Sequence, residues 1–216
     1  MLIHQGRYSR FLPNPVTGDR VEFLNSPLHG ARGPLVFRTH LAPSSIGAPL
    51  HSHRRTQEFL RVESGVLTVD VGGVSRSLAA GDAVSLRAGA PHALRNESDE
   101  TTTFVATLSA GQDFEKLLRT FYGLAGEGRT DRAGLPRDPR ELAMALEYGD
   151  ASLGAAGGNL QRVLNVALAA LGRAIGLEFA LARFWPDALD EAAPHDAIND
   201  RPASRTARAQ LRNAQT

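Results

Sequence analysis

The sequence predicts a mainly β fold, an antiparallel sandwich or barrel followed by a C-terminal α-helical appendage. Between Leu35 and Leu108, short runs of apolar and β-branched residues alternate with turn residues. After Ser109 the apolar period changes from two to about 3.6. The length, 216 residues, suffices for one sizeable core plus an appendage.

Residues 1–34, punctuated by Pro13, Pro15, Pro27 and Pro34, read as an irregular N-terminal arm with one strand at Arg20–Leu24. Strands follow at Leu35–Leu41, Glu58–Val62, Val66–Val71, Val74–Ala79, Ala83–Leu86, His92–Arg95 and Thr101–Leu108 within a β-unit spanning 35–110. Ser64-Gly65, Gly72-Gly73 and Gly81-Asp82 supply turns that tolerate positive φ. A helical extension over 111–186 opens with Phe114, Leu117, Leu118, Phe121 and Leu124 at helical offsets, with Ser109 and Gln112 as a capping box. A second helix has Asp138 as its cap, Pro139 at its first position, Glu141 three residues after the cap and Gly149 at its end. A third runs from Leu160 to Ile175 with Val163, Leu164, Ala167, Leu168 and Leu171 on its apolar face. The stretch 187–216 lacks apolar periodicity, carries Arg201, Arg205, Arg208 and Arg212, and reads as a disordered tail.

Composition narrows the function. With 24 Lys plus Arg against 23 Asp plus Glu, a net charge of +1 creates no global field toward nucleic acid or an anionic membrane, and neither partner is expected. The absence of cysteine excludes disulfide scaffolds, thiolate metal sites and cysteine nucleophiles within this chain. The first ten residues hold no apolar run of secretory type, which gives a cytoplasmic expectation. Arg173 and Glu178 interrupt the most lipid-like stretch, Val163–Ala182, so it reads as a partly buried helix.

The chemistry concentrates in two short segments. His51 and His53 lie two apart, so on a strand both imidazoles share a face while Ser52 points away. Glu58 starts the next strand, and His92 lies beyond the Gly81 turn, where barrel closure brings it across. Three neutral imidazoles and a carboxylate bind a divalent transition ion, and a six-coordinate ion keeps two positions open. A lone buried histidine is usually a hydrogen-bonded core residue; His4, His29, His40 and His195 lack such company and read as structural or exposed. Alternation along Leu35–Leu41 leaves two faces open, with either Phe37 and Thr39 or Arg38 and His40 inward.

These segments resemble the two motifs of the cupin superfamily. Gly47, His51, His53, Glu58 and Gly65 match the first, and Gly81, Gly89, His92 and Asn96 match the second. Arg87 replaces the usual proline of the second motif, and three residues rather than five separate Gly47 from His51. The resemblance covers about 35–110 and implies a small antiparallel β-barrel, the double-stranded β-helix, with His51, His53, Glu58 and His92 as metal ligands. It implies a mononuclear metal enzyme, most often a dioxygenase and sometimes an isomerase, cyclase or decarboxylase, with ligand sensors also in the family. Iron(II) is the preferred ion, and manganese, nickel, copper and zinc are compatible with these donors. Glu58 is the candidate proton shuttle. The expected partner is a small organic molecule in a pocket of mixed polarity, and family habit implies a homodimer. Gln57 and Phe104 are candidate cavity residues, with core packing the plainer role for Phe104.

Overall fold

Period-two alternation becomes strict in-out burial along the first long strand, where Leu35, Phe37, Thr39 and Leu41 are buried and the residues between them are half-exposed. In the computed structural model, residues 9–109, 113–154 and 159–185 are described. The elements are β1 (Phe11–Pro13), β2 (Arg20–Asn25), β3 (Leu35–Leu41), β4 (Ala48–His53), β5 (Glu58–Ser64) and β6 (Val66–Val71). They continue through β7 (Val74–Ala79), β8 (Ala83–Leu86), β9 (His92–Arg95), β10 (Thr102–Leu108), α1 (Phe114–Gly126) and α2 (Pro139–Tyr148), ending with β11 (Ala151–Leu153), α3 (Asn159–Ala174) and α4 (Leu177–Leu181).

Two antiparallel sheets form the barrel, one ordered β1-β2-β3-β10-β5-β8 and the other β11-β4-β9-β6-β7. Their inward side chains make one core in which Leu35, Leu60, Leu67 and Leu108 are fully buried. The register sets out inward rows across the first sheet: Leu35, Leu108 and Glu58 at one end, Phe37, Ala106 and Leu60 next, then Thr39, Phe104 and Val62. Arg38 and His40 therefore look outward. Arg38 pairs with Glu22 and Glu63, and His40 Nδ1 meets Thr103 Oγ1 at 3.0 Å.

The strand expected at Arg20–Leu24 of the arm is β2, and β1 adds a short strand ahead of it. β2 pairs with β3 along its length and β1 pairs with β2, because Val21 and Phe23 alternate inward and need the barrel to cover them. Likewise β11, inside the expected helical extension, pairs with β4 and completes the second sheet. Residues 1–8 and the expected tail from 187 onward lie outside the described residues, as does Gln112 of the expected capping box. Ser109 serves the sheet instead, its hydroxyl accepting the Gln57 N–H at 3.1 Å.

α1 closes over the barrel. Phe114 stacks on Phe37 with ring centroids 6.0 Å apart, and Leu117 joins the same core. On its other side the buried Glu115 bonds Arg119, 2.7 Å away, and accepts from the Ser26 hydroxyl, while the Arg119 guanidinium covers the Phe23 ring. α2 starts as its sequence dictates, with the Asp138 side chain accepting the Arg140 N–H at 2.9 Å and Pro139 in the first turn. Glu141 turns inward to Arg129 rather than back to the cap.

α3 departs from its own pattern. Ala169 is buried and Leu168 is half-buried, yet Val163 is 63% exposed, Leu164 54% and Leu171 51%. The side chain of Leu160 lies outside the described set. The contact side follows the smallest residues: a Cβ on Gly172 would stand 2.7 Å from Met144 Sδ, so this glycine lets α3 approach α2 more closely than its leucines would.

Candidate metal centre

His51 and His53 share a face of β4, and His51 pairs directly with His92 across the β4–β9 ladder. The ladder is irregular between Ala48 and His51, and this turn of the chain sets the imidazoles' register. Gly47 makes the approach possible: it adopts φ +52°, and a Cβ there would lie 2.3 Å from the Leu94 carbonyl oxygen. The shortened spacing between Gly47 and His51 is thus accommodated by backbone contact with β9. Glu58 comes from the opposite sheet, at the inward row of Leu35 and Leu108. One donor atom each from His51, His53, Glu58 and His92 lies within 4.8 Å of all the others. The cluster is enclosed, with His53 and His92 2% exposed and Glu58 5%.

Each ring is held from behind by a backbone carbonyl. Nδ1 of His51 lies 2.7 Å from Pro49 O, Nδ1 of His53 2.9 Å from Gly149 O, and Nδ1 of His92 2.9 Å from Ala90 O. A carbonyl only accepts, so each Nδ1 carries the proton and each Nε2 presents its lone pair to the cluster. There, Nε2 of His53 stands 2.9 Å from Glu58 Oε1 and Nε2 of His92 stands 3.7 Å from Oε2. Buried lone pairs facing a carboxylate demand a cation between them, either a proton or a metal ion. The donor set fits a divalent transition ion by ligand type, tautomer and convergence.

The electrostatics agree with that geometry. Burial, reinforced by the neighbouring His92 and His53, pushes His51 down to about 3, and burial likewise lowers His92. For His53, burial opposes the charge, but the hydrogen bond and charge of Glu58 raise the pKa. Burial works against the Glu58 carboxylate, yet the imidazoles, His53 foremost, hold it below its usual range. Two rings therefore stay neutral at physiological pH while Glu58 stays charged.

The cluster opens onto a cavity of about 160 Å³. Its walls are apolar, because alternation turns Val21, Phe37, Leu60 and Phe104 inward, and α1 adds Phe114 and Leu117 as a roof. The expected mixed polarity is confined to the ends, the His–Glu cluster at one and Asn14, Asp19, Thr39 and Tyr122 at the other, while most Ser and Thr residues of the strands point away. Phe104 lines the cavity while packing in the core, and Gln57 is exposed. Asn96 ties the far end of β9, its amide donating to the carbonyls of Leu41, Ala42 and Glu100. His29 meets Glu115 at 3.5 Å and is no member of the cluster, and His4 and His195 lie outside the described residues.

Three contributors were not legible in the sequence. The Gly149 carbonyl reaches His53 from 96 residues away and leaves no local signal. Phe114, whose ring centroid lies 5.3 Å from that of His53, and Tyr122, which lines the cavity, sit on a face readable only as amphipathic. That face identified a contact side but not what it would touch.

Residues 37–108 match a family model described as a cupin domain. A probable oxidoreductase, patJ, of Aspergillus clavatus is 29% identical over 119 residues, 53% of this chain and 32% of the relative, so the chain spans about a third of that protein. Among solved structures, a sugar phosphate isomerase from a cupin superfamily of Silicibacter pomeroyi is 22% identical, covering 48% of this chain and 68% of that chain, with a TM-score of 0.40. A predicted oxalate decarboxylase of Thermotoga maritima is 24% identical, covering 42% of this chain and 79% of that chain, with a TM-score of 0.38.

Proposed function

Since the barrel at residues 37–108 makes this chain a member of the cupin superfamily, we propose that it is a metal-dependent oxidoreductase of the dioxygenase kind acting on a small organic substrate. The observation that carries the reading is the convergence of three carbonyl-braced imidazoles on one buried carboxylate. His51, His53 and His92 would hold the ion through Nε2 and Glu58 through its carboxylate, with iron(II) preferred. When bound, such an ion supplies the one-electron chemistry that lets dioxygen react with a closed-shell organic molecule.

The protein's own residues do the rest. The backbone carbonyls keep each Nδ1 protonated and orient each ring toward the cluster. The apolar walls exclude water and strengthen every charge interaction at the cluster. Glu58, which faces the cavity, would shuttle a proton to and from the substrate when its bond to the ion loosens.

Elemental analysis of the purified chain, then oxygen uptake with enols, diols and 1,3-diketones after anaerobic iron(II) loading, tests this. Near-stoichiometric iron, manganese, nickel or copper with substrate-dependent uptake is expected. His51→Ala and His92→Ala should each lose most of the metal while remaining folded; full occupancy in both would remove the ligand assignment. The enclosed apolar cavity also favours a second reading, a ligand sensor or a metal-dependent isomerase or cyclase. Stoichiometric zinc, or metal without oxygen uptake, would select it. A homodimer and a cytoplasmic location belong to the same proposal, and sedimentation of the full chain reads the former.

A further inference from the structure

The cavity has a second polar end. The Glu58 row marks one limit, and along β3 Thr39 lies four residues beyond Leu35 of that row, about 13 Å at strand rise. On α1, Phe114 packs on His53, and Tyr122 follows eight residues later, about 12 Å along the helix. Asp19, which accepts the Ala42 N–H just past β3, also acts electrostatically on Tyr122, which brings Thr39 and Tyr122 to the same end. Both residues line the cavity, and among the described residues neither hydroxyl has a hydrogen-bond partner.

Their neighbours are already engaged. Asp19 accepts from the Ala42 N–H at 2.9 Å and the Ser45 hydroxyl at 3.1 Å, and Asn14 Oδ1 accepts from Val16 N–H and Thr17 N–H. Burial, with the Asp19 charge behind it, holds the Tyr122 phenol above its usual range, so it remains a donor. Among the described residues no Lys or Arg lines the cavity, and Asp19 stands at this end. A ligand tail bearing negative charge would meet a carboxylate and no cation.

We propose that Thr39 and Tyr122 form the tail-recognition end of the pocket, and that its ligand is an uncharged, largely apolar molecule the size of one substituted ring. A carbonyl, ether or hydroxyl oxygen of its tail reaches these two hydroxyls. The volume agrees, since a dry cavity of about 150 Å³ holds a benzene ring. Between its two ends, Phe37, Leu60, Ala106 and Leu117 offer only apolar surface, so the middle of the ligand carries no polar group. This inference rests on the proposed function only in seating the ligand's reactive head at the His–Glu cluster.

The test uses the full chain freed of metal by a chelator, with three probes titrated calorimetrically: acetophenone, ethylbenzene and benzoate. Acetophenone should bind about five- to tenfold more tightly than ethylbenzene, the worth of one neutral hydrogen bond, and benzoate at least about tenfold more weakly than acetophenone. The double variant Thr39→Val with Tyr122→Phe should bind the two neutral probes about equally, leaving ethylbenzene unchanged. Each single variant gives a second reading should the double variant melt early. Benzoate binding as tightly as acetophenone, an acetophenone preference that survives both substitutions, or binding of none of the three would overturn the proposal. Because the protein is metal-free, these outcomes leave the metal reading to its own assay: loss of the probes with normal iron loading fails the tail site alone, and the converse fails the proposed oxidoreductase alone.

Discussion

β3 and α3 both carry a clear apolar period, yet only β3 buries the side its period names. Ladders on both edges of β3, to β2 and to β10, leave it just two faces, and the apolar face takes the core. α3 packs on α2 with α4 beside it, and its rotation is set by where backbones come closest, at Gly172 against Met144. A paired strand obeys its pattern because pairing removes its other choices. A peripheral helix obeys it only as far as its neighbours allow.

That contrast can be attacked at three points. The largest loss should come where α1 meets the barrel: Glu115→Ala leaves Arg119 buried without its carboxylate and should cost about 3–5 kcal/mol in urea unfolding. Inside the barrel, Leu60→Ala opens a cavity at a fully buried position and should cost about 2–5 kcal/mol, whereas Leu164→Gln on the exposed side of α3 should change stability by no more than about 0.5 kcal/mol. A loss of about 2 kcal/mol at Leu164 would show that α3 is covered in solution and that the comparison is false.

The smallest expected effect is a pH slope. His51 and His92 are depressed when folded, so between the ordinary histidine pKa of about 6.5 and their folded values the unfolded chain binds more protons, and stability falls as pH falls. His53, raised, has the opposite sign: its contribution is present at acid pH and is lost as pH rises through its folded pKa. Burial lowers His40 as well, so three rings against one predict a lower urea midpoint for the metal-free protein at pH ~5 than at pH ~7. An equal or higher midpoint at the lower pH would mean that the charged form of His53 dominates the cluster.

The sequence disclosed β3 and β5 to β10 to within about two residues, β4 only as the unbounded strand that carries His51 and His53, and the convergence of those two with Glu58 and His92, because alternation, turn glycines and short spacings are local signals. It concealed whatever depends on a distant partner. β1 and β11 are too short to announce themselves, and the strand read at Arg20–Leu24 carries no sign that β3 would receive it into the barrel sheet. The polarity of the cavity was hidden for a related reason: one residue of register decides whether Thr39 or His40 faces it, and only the pairing to β10 decides the register.

The link between Gly149 and His53 has a consequence for anyone dividing this chain. Asp150, the next residue, also grips the turn after β4, its side chain accepting the Arg55 N–H at 2.7 Å and its carbonyl the Arg54 N–H at 3.1 Å. A fragment ending after β10 would contain all four presumed ligands and look complete by any motif, yet one ring would become a rotor on a loosened hinge. The smallest transplantable unit therefore ends after Leu153, with α1 and α2 aboard as the clamp that keeps the third imidazole aimed.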